Sequence, residues 1–85
     1  MASYELRIKR EAEKEIAALH KTDLVRVIKK IRLLAENPRP VGTEKLKGEE
    51  GYRIRQGDYR IVYLINEKEK TVCVIRVGHR REVYR

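Results

Sequence analysis

Apolar residues recur along this chain with two different periods, and the places where the period changes divide it into elements. From Ser3 to Ile8 the pattern alternates, with Tyr4, Leu6 and Ile8 on one side, which predicts a short first strand. From Glu11 to His20 the spacing becomes helical, with Ala12, Ile16 and Leu19 on one stripe. Thr22 is a candidate N-cap for a second helix whose stripe is Leu24, Ile28, Ile31 and Leu34, and Pro38 and Pro40 stop it. A gap of about two residues between the helices predicts an antiparallel hairpin. Residues 37–50 read as a connector rich in Pro, Gly and charge. Alternation then returns, predicting strands over about 52–56, 59–66 and 71–78. The predicted order is β-α-α-β-β-β: an α+β domain with a helical hairpin on one face of a small, mainly antiparallel twisted sheet.

The first two strands of the final group carry the chemistry. Tyr52-Arg-Ile-Arg55 alternates strictly, and Gly57-Asp58 is a turn signal ahead of Tyr59–Ile65. A two-residue loop there sets Gln56 opposite Tyr59, Arg55 opposite Arg60 and Arg53 opposite Val62. Directly opposed residues share a face, so Arg53, Arg55 and Arg60 converge. Opposed like charges destabilise a sheet, so the arrangement points to an anionic ligand. The other face carries Tyr52, Ile54, Ile61, Tyr63 and Ile65 and is expected to pack on the helices. If the last strand keeps Cys73, Ile75 and Val77 on that core face, Arg76 joins the arginines.

Composition narrows the class. The chain has 85 residues, 41% hydrophobic and 40% charged, with a net charge of +8. That is the balance of one small globular domain with a polyanionic partner, nucleic acid first among the choices. Residues 1–43 carry 10 basic and 6 acidic side chains and residues 44–85 carry 11 and 7, so folding must assemble any basic patch. The bland reading of Arg26, Lys29, Lys30 and Arg32 is a solvated helix surface. The single cysteine, Cys73, excludes an internal disulfide, and the two histidines, His20 and His79, match no metal spacing. No metal or other cofactor is expected. The N-terminal segment has no apolar signal core and no run approaches the ~20 residues of a membrane span, so the expected setting is cytoplasmic with no membrane contact.

Several segments together resemble one known family. Asn37-Pro-Arg39, Lys45-Leu-Lys-Gly48, Tyr52-Arg-Ile-Arg55, Asp58-Tyr-Arg-Ile-Val-Tyr63 and Val77-Gly-His-Arg-Arg-Glu-Val-Tyr84 occur in an order and spacing similar to the RelE branch of the RelE/ParE toxin superfamily. The resemblance covers essentially the whole chain. It implies the RelE-like microbial RNase fold, membership of a toxin–antitoxin pair, and ribosome-dependent cleavage of mRNA in the A site. It also implies a RelB-like antitoxin as partner, a monomer when free and a heteromeric complex when bound. ParE-like members act instead on DNA gyrase and typically lack the charged sheet face.

The family's functional positions fall on Arg53, Arg55, Arg60, Arg80 and Tyr84, with His79 and Arg81 as neighbours of Arg80. Lys45, Lys47, Arg76 and Arg81 are the expected RNA-binding residues. RelE proteins often have lysine at the two strand positions, and this chain has arginine at both. That substitution matters chemically. Attack of a 2′-hydroxyl on the adjacent phosphorus needs cations for the developing charge, a base and an acid. Arginine clamps phosphate well but stays protonated. Proton transfer therefore falls to His79, whose residue type titrates near neutral pH, to Tyr84, or to the ribosome and substrate. Three functions remain open at this point: an mRNA endonuclease, a ParE-type gyrase inhibitor, and a basic relative that binds RNA without cutting it.

Overall fold

The computed structural model describes residues 3–47 and 51–79. Its elements are β1 (Glu5–Ile8), α1 (Arg10–Ala17), α2 (Lys21–Glu36), β2 (Glu44–Lys45), β3 (Gly51–Gln56), β4 (Tyr59–Asn66) and β5 (Thr71–His79). All five strands form one sheet in the order β1-β5-β4-β3-β2, with β1 parallel to β5 and every other pair antiparallel. The α+β architecture is as the periodicity predicts, with one strand added. The added strand, β2, is two charged residues long, too short to show a period. Cross-strand pairing with β3 defines it.

The helices begin and end slightly earlier than the sequence suggests. Leu24 N–H donates to His20 O at 2.8 Å, so α2 starts at Lys21 and its N-cap is His20 rather than Thr22. α1 closes at Ala17, because Leu19 N–H turns back to Ile16 O. At the far end α2 stops at Glu36, just ahead of Pro38, whose ring cannot continue the helix. No helix among the described residues is long and apolar enough to cross a membrane.

The core forms where the two helical stripes meet one sheet face. Ala12 and Ile16 of α1 and Val27, Ile31 and Leu34 of α2 pack with Ile54, Ile61, Tyr63, Ile65, Val72, Val74 and Val77. Leu24, Ile28 and Tyr52 lie partly buried at its margin. On β3 and β4 this is the face that alternation assigns to the core.

On β5 the expected pattern fails, for a clear reason. Tyr63 opposes Val74 while Val62 opposes Arg76, so Ile75 is an extra residue, a β-bulge. Before the bulge Val72 and Val74 face the core beside Leu6 and Ile8 of β1; after it Val77 does. Cys73, expected inside, lies opposite Leu64 on the outer face and is half-buried. A strict two-residue period cannot bury both Val74 and Val77, and the bulge resolves that conflict.

Candidate nucleic-acid interface

Gly57 sits at φ 62, the left-handed region that glycine enters freely, and with Asp58 closes the two-residue turn between β3 and β4. The resulting register opposes Arg55 to Arg60 and Arg53 to Val62. Arg53, Arg55 and Arg60 therefore share the outer sheet face, away from the helices. Their surroundings differ. Arg60 is only 6% exposed, Arg53 is half-buried, and Arg55 is open to solvent. Across from Arg60 on β5 stands Gly78, which has no side chain to fill the space between.

β2 brings a carboxylate to this face. Glu44 opposes Arg53, and Arg53 Nε donates to Glu44 Oε1 at 2.9 Å. No periodicity in the sequence identifies Glu44, since its placement depends on the pairing of a two-residue strand 9 residues from Arg53. A network near the β4–β5 turn anchors the connector that carries β2. Tyr63 OH donates to the buried Pro38 carbonyl at 2.6 Å and accepts from Thr43 Oγ1 at 3.2 Å. Arg39 Nη1 donates to Glu67 Oε2 at 2.7 Å and Nη2 to Tyr52 OH at 3.3 Å, while Tyr4 OH donates to Glu67 Oε1 at 2.8 Å. The Arg39 guanidinium, and then the Tyr4 hydroxyl, hold the Glu67 carboxyl below its ordinary range. Glu67, and after it Tyr52, push Arg39 upward in turn, and burial raises the Tyr63 phenol.

Comparison with known proteins places this arrangement. The family "ParE toxin of type II toxin-antitoxin system, parDE" matches residues 6–84. The chain is a toxin of the RelE/ParE superfamily. The toxin is similar to the isolated E. coli RelE toxin at 35% identity and a TM-score of 0.79, covering 95% of this chain and 90% of that one. It is similar to the RelE–RelB complex from Pyrococcus horikoshii at 28% identity and a TM-score of 0.83, covering 94% and 98%. Over 34 residues it is 41% identical to toxin RelG of Mycobacterium tuberculosis, a match spanning 40% of this chain and 39% of that toxin.

The remaining sequence-predicted site residues of the toxin divide among several locations. Arg76 opposes Val62 and so shares the arginine face by register, yet its guanidinium is committed elsewhere. Beyond Val74 β5 has no β1 partner, and Glu15 of α1 closes that open edge. Glu15 Oε2 accepts from Arg76 Nε and Nη2 at 3.2 and 3.1 Å, and Oε1 accepts from Val77 N–H at 2.7 Å. Arg76 therefore clasps the bulge. His79 opposes Tyr59, and the two rings meet edge-on with centroids 6.0 Å apart. That pair belongs to the helix side of the sheet, so His79 lies across the sheet from the three arginines. The strand's alternation after the bulge turns Gly78 outward and His79 inward. Lys45 opposes Tyr52 and also lies on the helix side. Lys47 is exposed in the turn after β2. Arg80, Arg81 and Tyr84 lie outside the described residues.

Proposed function

We propose that the toxin is a ribosome-dependent endoribonuclease that cleaves mRNA by attack of a 2′-hydroxyl on the adjacent phosphate. The observation carrying this reading is the convergence of Arg53, Arg55 and Arg60, with the Arg55–Arg60 opposition that stability alone disfavours. In this reading Arg55 and Arg60 bind the scissile phosphate and meet the negative charge that develops on its oxygens. Arg60 is held by burial and arrives preorganised, whereas exposed Arg55 closes on the substrate.

Proton transfer needs a different residue type. Glu44, beside Arg53 on the same face, accepts the 2′-hydroxyl proton as the 2′-oxygen forms its bond to phosphorus. The bond from phosphorus to the 5′-oxygen breaks, that oxygen takes up a proton from water, and a 2′,3′-cyclic phosphate remains. Arg53 holds the carboxylate in place and adds positive potential. The chemistry requires no metal ion. Positioning of the mRNA is assigned to the ribosome. The cellular setting is the cytoplasm, and the regulator is a RelB-like antitoxin whose acidic segment covers the arginine face. The solved complexes of RelE with RelB support that partnership by analogy.

Primer extension on an mRNA in a purified translation reaction tests the proposal, with and without ribosomes and with Arg55→Gln and Arg60→Ala toxins. Breaks that need ribosomes and disappear in both variants support it. A second reading follows from the ParE name of the matching family: inhibition of DNA gyrase without catalysis. Intact mRNA together with blocked supercoiling in a gyrase assay would establish that reading instead.

A further inference from the structure

On the helix side of the sheet, a cleft of about 460 Å³ opens between β2–β3 and the β4–β5 turn. Its polar lining comes from Arg39, Lys45, Tyr52, Asn66, Glu67 and Lys68. The cleft's one carboxylate, Glu67, is already engaged by Arg39 and Tyr4. Neither Lys45 nor Lys68 has an ion pair among the described residues, so two ammonium groups face the opening uncommitted. A rigid wall stands behind these groups. The Arg39 guanidinium lies 5.1 Å above the Tyr52 ring, and that ring stacks on buried Tyr63 at 5.9 Å.

A cleft that offers donors and positive charge, with its acceptors already used, suits an anion with several oxygens. The kind of anion follows from what is missing. Among the described residues the exposed large hydrophobics are Val25, Leu33, Val41 and Leu64, none of which lines the cleft; of its apolar lining, Ile65 is buried and the Tyr52 ring is covered by Arg39. A protein segment draws most of its binding energy from apolar or aromatic anchors, whereas a nucleic-acid backbone needs only placed charge. We propose that this cleft is a second RNA site, in which Lys45 and Lys68 hold phosphodiester groups of a strand other than the one on the arginine face.

Two strands are required because Lys45 and Glu44 are consecutive residues of β2 with side chains on opposite faces. Glu44 points to Arg53 and Lys45 to the cleft. The sheet edge therefore lies between the two RNA segments. The inference rests on the ribonuclease reading for its substrate strand and assigns the cleft to structural RNA of the ribosome. Lys45 keeps the RNA-binding role expected from the sequence, on the other side of the sheet.

The test measures binding of purified toxin to ribosomes over a salt series, comparing wild type with the Lys45→Gln/Lys68→Gln double variant and with Lys45→Arg/Lys68→Arg. Circular dichroism confirms the fold of each. Losing two phosphate contacts should lower the slope of log affinity against log salt by about 1.4–1.8, and the arginine pair should restore it. The KM for ribosome-bound mRNA should rise in the glutamine variant. An unchanged slope overturns the site and leaves the ribonuclease reading intact. A reduced slope in a toxin that cuts no mRNA even as wild type supports the site and removes the ribonuclease reading. Displacement of ribosomes from the cleft by poly-glutamate but not by poly-uridine would assign it to an acidic protein and overturn the proposal.

Discussion

Replacing Tyr63 with phenylalanine removes one oxygen from the centre of the molecule and should destabilise it measurably. The ring is fully buried, and phenylalanine fills the same space, so no apolar burial is lost. What disappears is the 2.6 Å bond to the Pro38 carbonyl and the 3.2 Å contact with Thr43. Thr43 is partly exposed and can turn to water. Pro38 is buried, and its carbonyl is left without this donor. An unsatisfied buried acceptor costs about 1–3 kcal/mol, and in a domain of this size each kcal/mol lowers Tm by roughly 4–8 °C. Urea unfolding at pH 7 should therefore show a lower midpoint with an unchanged slope. A second signature comes from pH. Burial raises the Tyr63 phenol in the folded state, so its contribution is fully present below the unfolded tyrosine value and is lost as pH rises through the folded one. The variant should lack that part of the alkaline destabilisation. A variant as stable as wild type, with the same alkaline limb, would refute the claim that this hydroxyl anchors the connector.

Other expectations concern the site and the bulge. Arg55→Gln should lower single-turnover cleavage by about 10²–10³-fold, as loss of one donor to the developing charge does. The same variant should gain roughly 0.2–1 kcal/mol of stability at low salt, because the opposition to Arg60 is relieved; a loss of stability in urea melts would count against like-charge strain there. His79→Ala should change the cleavage rate by far less than the roughly 10²–10⁴-fold that an acid–base group contributes; a larger loss would return it to the mechanism. Glu15→Ala should cost about 1–2 kcal/mol in urea unfolding and speed hydrogen exchange at the Val77 amide, which it otherwise protects; unaltered exchange would show that the clasp does not hold the edge.

The sequence alone determined the helices, the three long strands and the β3–β4 register. These depend on local periodicity and on a two-residue turn, both of which are written in neighbouring residues. The meeting of Arg53, Arg55 and Arg60 followed directly, because opposed residues in a hairpin share a face. Composition set the chain's own net charge at +8. Contacts between distant segments decided the rest. The bulge at Ile75 reversed the inward and outward pattern midway along β5, so that Cys73 faces out while His79, six residues on, faces in. It exists because β1 pairs with the first half of that strand while α1 covers the second, a conflict no local period records. Pairing of Glu44 with Arg53 and of Lys45 with Tyr52 then separated two adjacent residues onto opposite faces. Side-chain direction in a strand alternates with every residue, so one inserted residue or one short pairing reassigns a functional group to the other side of the sheet.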